Sequence, residues 1–178
     1  SDVCSSDLTI LNAPFDTRAL VLEMGMRGFG QISDLCRIAR PSIGVVTRVG
    51  EAHTELVGGI EGVARAKGEL VEALPPQGWA VLNADDERVR AMVHRTSAPS
   101  ILFGEAADAD VRIESLVLDA TGCASFDIVT RDGRTPIRLS TPGRHTASNA
   151  AAAFAVGHVL GVSASAMAAA LSGASVSD

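Results

Sequence analysis

Ile43-Gly-Val-Val-Thr47 and Trp79-Ala-Val-Leu-Asn83 are two short apolar segments of the length typical of buried β-strands. A helical pattern runs between them from Ile60 to Leu74, and Pro75-Pro76 ends it. A strand, a helix and a second strand in this order predict a parallel pair joined by a right-handed crossover. These residues therefore indicate an α/β fold.

The same alternation continues on both sides of this unit. We predict a buried strand over Arg18–Met24 and an amphipathic helix over Ile32–Ala39, and further along the chain a helix over Glu87–Arg95 and a strand over Ser100–Phe103. Alternating strands and helices are typical of a sheet with helices on both faces. We therefore expect a mostly parallel sheet flanked by helices.

The pattern changes after Phe103, where strands follow one another without a helix between them. Short turns, one of them containing Asp132-Gly133, connect strands that we predict over Val111–Leu118, Cys123–Thr130 and Thr135–Ser140. These strands predict a small antiparallel three-stranded meander. Two alanine-rich helices follow, over Thr146–Leu160 and Ser163–Leu171.

The composition limits the classes of protein to which this chain can belong. Its 178 residues are 47% hydrophobic and 20% charged, with a formal net charge of -6, as expected of one globular domain. The negative charge, the absence of tyrosine and an aromatic content of 3% argue against a nucleic-acid surface. No apolar run approaches the roughly 18 residues of a membrane helix. Three widely separated cysteines, of which Cys36 falls on the apolar side of its helix, indicate a reducing cytoplasm.

The two ends of the chain differ from the rest. Residues Ser1–Leu8 match the translation of a common sequencing adapter. We expect them to be an artefact, which would leave Cys4 without a role; an ordinary polar tail is the alternative. The domain would then extend over residues 9–174, and residues 175–178 would begin a connection to a carboxyl-terminal domain.

Two charged side chains are candidates for chemistry because of their places in the predicted elements. Glu23 ends a predicted parallel strand, where α/β sheets bind ligands, so it is a candidate for holding a metal on a nucleotide phosphate. A solvated carboxylate is the alternative. Lys67 falls on the apolar side of its helix, in the series Ile60, Val63, Lys67, Leu70 and Leu74. A lysine there must reach solvent, pair, lose its charge or be chemically modified.

Polar residues in the loops give weaker signals. His53 follows a predicted strand end and is either a metal ligand or a solvated histidine. Asn83 and Asp85-Asp86 are typical of a turn and a helix cap. Pro142-Gly-Arg-His145, with Asn149, opens a helix whose backbone N–H groups could meet a ligand, although capping is the simpler interpretation. The sequence contains no Gly-x-x-x-x-Gly-Lys-Ser/Thr phosphate loop.

Six short sequence words occur in an order that resembles the central domain of the Mur ligases, from about Thr9 to Ala174. They are Glu23-Met-Gly-Met26, Ile38-Ala-Arg-Pro41, Val49-Gly-Glu-Ala-His53, Ala64-Arg-Ala-Lys-Gly-Glu69, Leu82-Asn-Ala-Asp-Asp86 and Gly143-Arg-His-Thr-Ala-Ser-Asn149. The first and fourth words are most similar to the family member that adds D-alanyl-D-alanine to the UDP-N-acetylmuramoyl tripeptide. The family's phosphate loop would lie upstream of Thr9.

The resemblance implies an ATP-dependent ligase that forms an amide bond through an acyl phosphate, with Mg2+ on the phosphates. By that resemblance, the residues that support magnesium and catalysis are Glu23, His53 and Lys67, the last as a carbamate formed with carbon dioxide. His145 and Asn149 would lie on the adenine side of ATP, and Asn83 in the wall of the nucleotide pocket.

The implied partners are the small-molecule substrates, UDP-N-acetylmuramoyl tripeptide and D-alanyl-D-alanine. We expect a monomer that binds neither nucleic acid nor membrane. A sister Mur ligase or folylpolyglutamate synthase is the alternative among enzymes. A non-catalytic α/β interaction module is the alternative outside them.

Overall fold

A computed structural model describes residues 10, 12–50 and 57–174 of the chain. Within these residues a single sheet contains six strands in sequence order: β1 (Ile43–Val46), β2 (Trp79–Asn83), β3 (Ser100–Gly104), β4 (Val111–Leu118), β5 (Cys123–Thr130) and β6 (Gly133–Pro142). Strands β1 to β4 pair in parallel, and β4, β5 and β6 pair antiparallel. The α/β fold and the antiparallel meander are therefore confirmed.

Helices cover both faces of the sheet, as the sequence predicts. They are α1 (Gln31–Ala39), α2 (Ile60–Glu72), α3 (Glu87–Arg90) with a following 3-10 helix (Ala91–Arg95), α4 (His145–Val159) and α5 (Ala164–Gly173). The alternation along β2 shows the two faces. Ala80 and Leu82 belong to the core beneath α1, α2 and α3, whereas Val81 belongs to the core beneath α4 and α5.

The meander continues the parallel sheet edge to edge. Phe103 of β3 is in register with Val111 of β4, so the antiparallel strands extend the same sheet. Both residues are fully buried in the core that α4 and α5 cover. The carboxyl ends of β1, β2 and β3 consequently lie along one edge of a sheet that is packed on both faces.

The prediction of a strand over Arg18–Met24 is wrong. The segment has no regular secondary structure, and Val21 is 92% exposed. A strand requires a neighbour to which its backbone N–H and C=O groups can bond. Among the described residues, this segment pairs with no strand of the sheet. The apolar composition of this segment was therefore not sufficient to predict a strand.

Two smaller features agree with the sequence. Cys36 is buried in α1, and burial, together with the Glu69 carboxylate, raises the pKa of its thiol, as suits a core residue rather than a nucleophile. Asp86 is the N-cap of α3 and accepts hydrogen bonds from the backbone N–H groups of Arg88 and Val89. No helix in the described part of the chain has the length and apolar content that a membrane span requires.

Candidate functional site at the carboxyl ends of the parallel strands

Lys67 reaches from α2 to the end of the first strand. Helix α2 buries Val63, Ala66 and Val71 against the sheet, and this orientation leaves Lys67 half-buried at the margin. Its Nζ atom donates a hydrogen bond to the carbonyl oxygen of Arg48, 2.7 Å away and two residues beyond β1. Lys67, which the sequence places on the apolar side of its helix, is therefore held at the edge of the sheet where α/β proteins bind ligands.

The surroundings of Lys67 lower the pKa of its ammonium group. Burial is the main cause that lowers the pKa of the ammonium group, and the positive charge of Arg48 lowers it further. The carboxylate of Asp86 acts in the opposite direction. A larger fraction of neutral amine at a given pH makes this nitrogen a better nucleophile than an exposed lysine.

Lys67 is also the single lysine among the fifteen Lys and Arg residues of the chain. Guanidinium groups stay protonated in proteins, whereas a lysine amine can lose its proton and react. The only lysine side chain of the sequence therefore lies at the carboxyl end of β1.

Three consecutive residues of α2 contact three different elements. Lys67 binds the loop after β1. Gly68 lies against the Arg95 guanidinium of the 3-10 helix. Glu69 accepts hydrogen bonds from the backbone N–H groups of Gly30, at 2.7 Å, and Ser33, at 3.1 Å, at the amino end of α1. The sequence analysis identified neither Glu69 nor Arg95 as a residue that contacts this part of the fold.

Asn83 connects the ends of β1 and β2. The residue is 9% exposed. Its Nδ2 atom donates to the carbonyl oxygen of Thr47, and Oδ1 accepts from the backbone N–H of Asp85, at 2.7 and 2.8 Å. Asp86 adds a second connection, because its Oδ2 atom accepts from the backbone N–H of Val49 at 2.7 Å. The predicted turn at Asn83 is confirmed, and it fixes the loop that carries Arg48.

Asp85 extends the connection to the end of β3. Its two carboxylate oxygens accept from the backbone N–H groups of Glu105 and Ala106, each at 2.8 Å. Glu105 in turn pairs with Arg144 at 2.8 Å, immediately before α4 begins at His145. Side chains thus join the carboxyl ends of β1, β2 and β3 to the start of α4.

The start of α4 presents the two residues predicted for the adenine side. His145 and Asn149 are both exposed, and their separation of four residues places them on one face of the helix. The imidazole of His145 lies over Gly143, where a Cβ atom would be 2.6 Å from Cε1. Lys67, Asn83 and the start of α4 therefore border the same edge of the sheet.

Glu23 and His53 are not brought into this arrangement. Glu23 is exposed on the segment that forms no strand, and within the described residues its carboxylate makes no hydrogen bond or ion pair. His53 lies outside the described residues. The described part of the chain contains no group of three or more His, Cys, Asp or Glu side chains arranged to hold a metal. The magnesium set of Glu23, His53 and Lys67 stays a prediction.

Comparison with known proteins gives a consistent picture. The sequence model of one protein family, the Mur ligase middle domain, matches residues 2–157. UDP-N-acetylmuramoyl-tripeptide--D-alanyl-D-alanine ligases are similar to the chain, with 40% identity over 93% of it for the Mycobacterium tuberculosis (strain H37Rv) protein and 31% over 95% for that of Bacillus subtilis. The matches cover 32% and 36% of those relatives. The chain therefore spans about a third of their length.

Solved structures show the same similarity. MurF from Acinetobacter baumannii superposes with a TM-score of 0.88 at 29% identity, over 95% of this chain and 37% of that one. MurF from Thermotoga maritima, whose structure is a complex with ADP, gives a TM-score of 0.83 at 27% identity, over 96% of this chain and 39% of that one.

Proposed function

The chain belongs to the Mur ligase family, and from that membership we propose that it is the central, nucleotide-binding domain of a UDP-N-acetylmuramoyl-tripeptide–D-alanyl-D-alanine ligase. One observation carries the proposal: the single lysine of the chain is half-buried and held at the carboxyl ends of the parallel strands. The names of the relatives that cover nearly all of this chain support the choice of substrates.

In the proposed reaction, an oxygen of the free carboxylate of the UDP-N-acetylmuramoyl tripeptide attacks the terminal phosphorus of ATP. An acyl phosphate forms, and ADP leaves with both electrons of the broken P–O bond. The neutral amine of D-alanyl-D-alanine then attacks the acyl carbon. An amide bond forms, the nitrogen loses a proton to solvent, and inorganic phosphate leaves with both electrons of the broken C–O bond. Magnesium, when bound, would supply positive charge that stabilises the negative charge on the phosphate groups during the transfer. The protein's own contribution is to hold these groups in line and to exclude water.

Lys67 suits a supporting role toward magnesium after modification. A neutral amine adds to carbon dioxide, and loss of a proton then leaves a carbamate. The cation thereby becomes an anion, the ligand type that magnesium prefers. Burial lowers the pKa of this amine and so provides more of the form that reacts. The donor atoms available at this position thus fit the ion once the carbamate forms.

The other candidate residues divide between metal and nucleotide. We propose Glu23 and His53 as further magnesium ligands. We propose that the exposed pair His145 and Asn149 contacts the adenine side of ATP. Asn83 forms part of the pocket wall, since its bonds to Thr47 and Asp85 fix the loops that surround the nucleotide. We further propose a monomer that acts in the cytoplasm.

Phosphate release by the full-length protein tests the assignment. We expect release only when MgATP, UDP-N-acetylmuramoyl tripeptide and D-alanyl-D-alanine are all present. Two substrate pairs serve as controls: UDP-N-acetylmuramate with L-alanine, which would indicate a sister ligase, and a folate with glutamate. Activity with only one of the control pairs would show a ligase with different substrates and would contradict the assignment as a D-alanyl-D-alanine ligase. No release with any pair would favour a non-catalytic module.

A further inference from the structure

Arg95 reaches across the middle of the helix that carries Lys67. From the 3-10 helix, its Nη1 and Nη2 atoms donate to the backbone carbonyl oxygens of Ala64 and Arg65, at 3.2 and 2.9 Å. Its Nε atom donates to the carboxylate of Glu72 at 2.9 Å, about two turns further along α2. The side chain is 27% exposed. A planar guanidinium is suited to such a site because its donors have a fixed geometry.

Gly68 provides the space for this guanidinium. A Cβ atom built on Gly68 would overlap Nη1 and Cζ of Arg95 and would lie 2.7 Å from Nη2. Glycine is among the poorest helix formers, and Gly68 is a buried interior position of a thirteen-residue helix. The close approach of Arg95 explains why glycine occupies it.

The contact acts on the turn of α2 that presents Lys67. The carbonyl groups of Ala64 and Arg65 begin the turn on which Lys67 lies, so Arg95 adds donors to oxygens of that same turn. On another side of the helix, Lys67 binds the carbonyl oxygen of Arg48. The turn is thus fixed both by its backbone and by its lysine.

We propose that Arg95 is a positioning residue for Lys67 and that Gly68 is present to admit its guanidinium. The relevance of this positioning to catalysis rests on the proposed function, whereas the positioning itself does not. Removal of Arg95 should leave Lys67 free to move away from Arg48. A residue that only stabilised the fold would lower the melting temperature without changing Lys67.

Amine acylation at fixed pH measures the positioning directly. Because Lys67 is the only lysine of the chain, its acylation rate can be followed on its own peptide by mass spectrometry, separately from that of the terminal amine. We expect Arg95→Met to accelerate acylation severalfold. Arg88→Met is the matched control. Arg88 and Arg95 both line the groove between α2 and the segment of α3 and the 3-10 helix, and Arg88 pairs with Glu61 of α2 but donates to no backbone carbonyl of that helix. An unchanged rate in Arg95→Met would overturn the inference, whatever happens to activity.

Gly68→Ala tests the same contact from the opposite side. Alanine favours a helix more than glycine does, so any disturbance must come from displacement of Arg95. We expect faster acylation here as well. In the double variant, which combines Gly68→Ala with Arg95→Met, the added methyl group occupies space that the guanidinium has left. We therefore expect acylation of Lys67 to be no faster than in Arg95→Met alone. Independent, multiplying effects of the two substitutions would contradict direct contact as the mechanism.

Kinetics of the full-length protein connect the positioning with the reaction. In Arg95→Met we expect kcat to fall about tenfold, the lower range for losing a group that orients a metal ligand. The magnesium concentration for half-maximal rate should rise, while KM for D-alanyl-D-alanine should stay unchanged. An active parent whose kcat and magnesium requirement do not respond to Arg95→Met would overturn the catalytic relevance. An inactive parent would refute the proposed function, and acylation would still decide on the positioning.

Discussion

At the scale of single residues, Lys67 offers the sharpest test of the site. In the full-length protein, Lys67→Ala should reduce ligase turnover by about 10–100-fold or more, because the anion formed on this amine would be lost. The fold should persist, since alanine is a strong helix former and a half-buried polar group is removed. Phosphate release at saturating MgATP and the circular dichroism spectrum measure the two expectations.

Arg65→Ala is the control for Lys67→Ala. Arg65 lies on the same helix, is exposed and stacks its guanidinium over the ring of Phe29, 5.1 Å from the ring centroid. Its loss should leave turnover close to that of the parent. Near-parent turnover in Lys67→Ala would reduce Lys67 to an ordinary lysine at a helix margin and would remove the metal interpretation of α2.

A second prediction at this scale concerns Gly104, which ends β3. Its φ of +144° is unfavourable for other residues, and a Cβ atom there would lie 2.5 Å from the carboxylate of Asp85. Gly133 has a φ of +140° with no atom near its Cβ position, so its alanine variant carries only the backbone strain. We expect Gly104→Ala to be less stable than Gly133→Ala by about 1–3 kcal/mol, as for overpacking. Urea unfolding measures the stability of both variants. Equal losses of stability would show that Asp85 moves aside without cost when the methyl group is added.

At the scale of elements, the sequence predicts a strand correctly where the strand that pairs with it also lies nearby in the sequence. The bounds predicted for β2, β4 and β5 agree with the structure. The failure over Arg18–Met24 has a physical cause, because apolar composition reports burial and not the presence of a pairing strand. The helix predicted over Glu87–Arg95 also divides into α3 and a 3-10 helix.

Contacts between elements explain what the sequence could not show of the site. Lys67 was identified from its spacing within one helix. Glu69 and Arg95 were not, since their partners lie 36–39 and 23–31 residues away and the geometry that joins them exists only in the folded chain. Their polar side chains carry no periodic signal of their own.

An ion network across the meander predicts a pH dependence at this scale. Hydrogen bonds from Arg134 on β6 and Arg112 on β4 hold the pKa of the Glu114 carboxyl below its ordinary value of 4.5. The stabilisation is therefore present above that value and is lost as the pH falls through the lowered pKa. We expect Glu114→Gln to lower the urea midpoint at neutral pH and to converge with the parent in strong acid. A difference that does not change with pH would contradict this assignment.

At the scale of the whole molecule, Ser1–Leu8 should contribute nothing to stability. The segment lies outside the described residues, and the prediction depends on its match to an adapter translation. Its deletion should change the free energy of unfolding by no more than about 0.5 kcal/mol, the usual range for surface changes. Urea unfolding of the two chains measures this. A loss well beyond that range would show that the segment is packed native structure.

The chain spans about a third of the length of the relatives that it matches. Phosphoryl transfer by this class of enzyme needs a loop whose backbone N–H groups and lysine cradle the β- and γ-phosphates. This sequence has no such loop, and its only lysine lies in the middle of α2, bound to Arg48. We therefore expect the isolated 178-residue chain to release no phosphate with MgATP, UDP-N-acetylmuramoyl tripeptide and D-alanyl-D-alanine. The full-length protein in the same assay is the positive control. Substrate-dependent release by the isolated chain would show that its own residues suffice to hold the phosphates, and the strand ends at Arg48, Asn83 and Glu105 would then be the place to locate that activity.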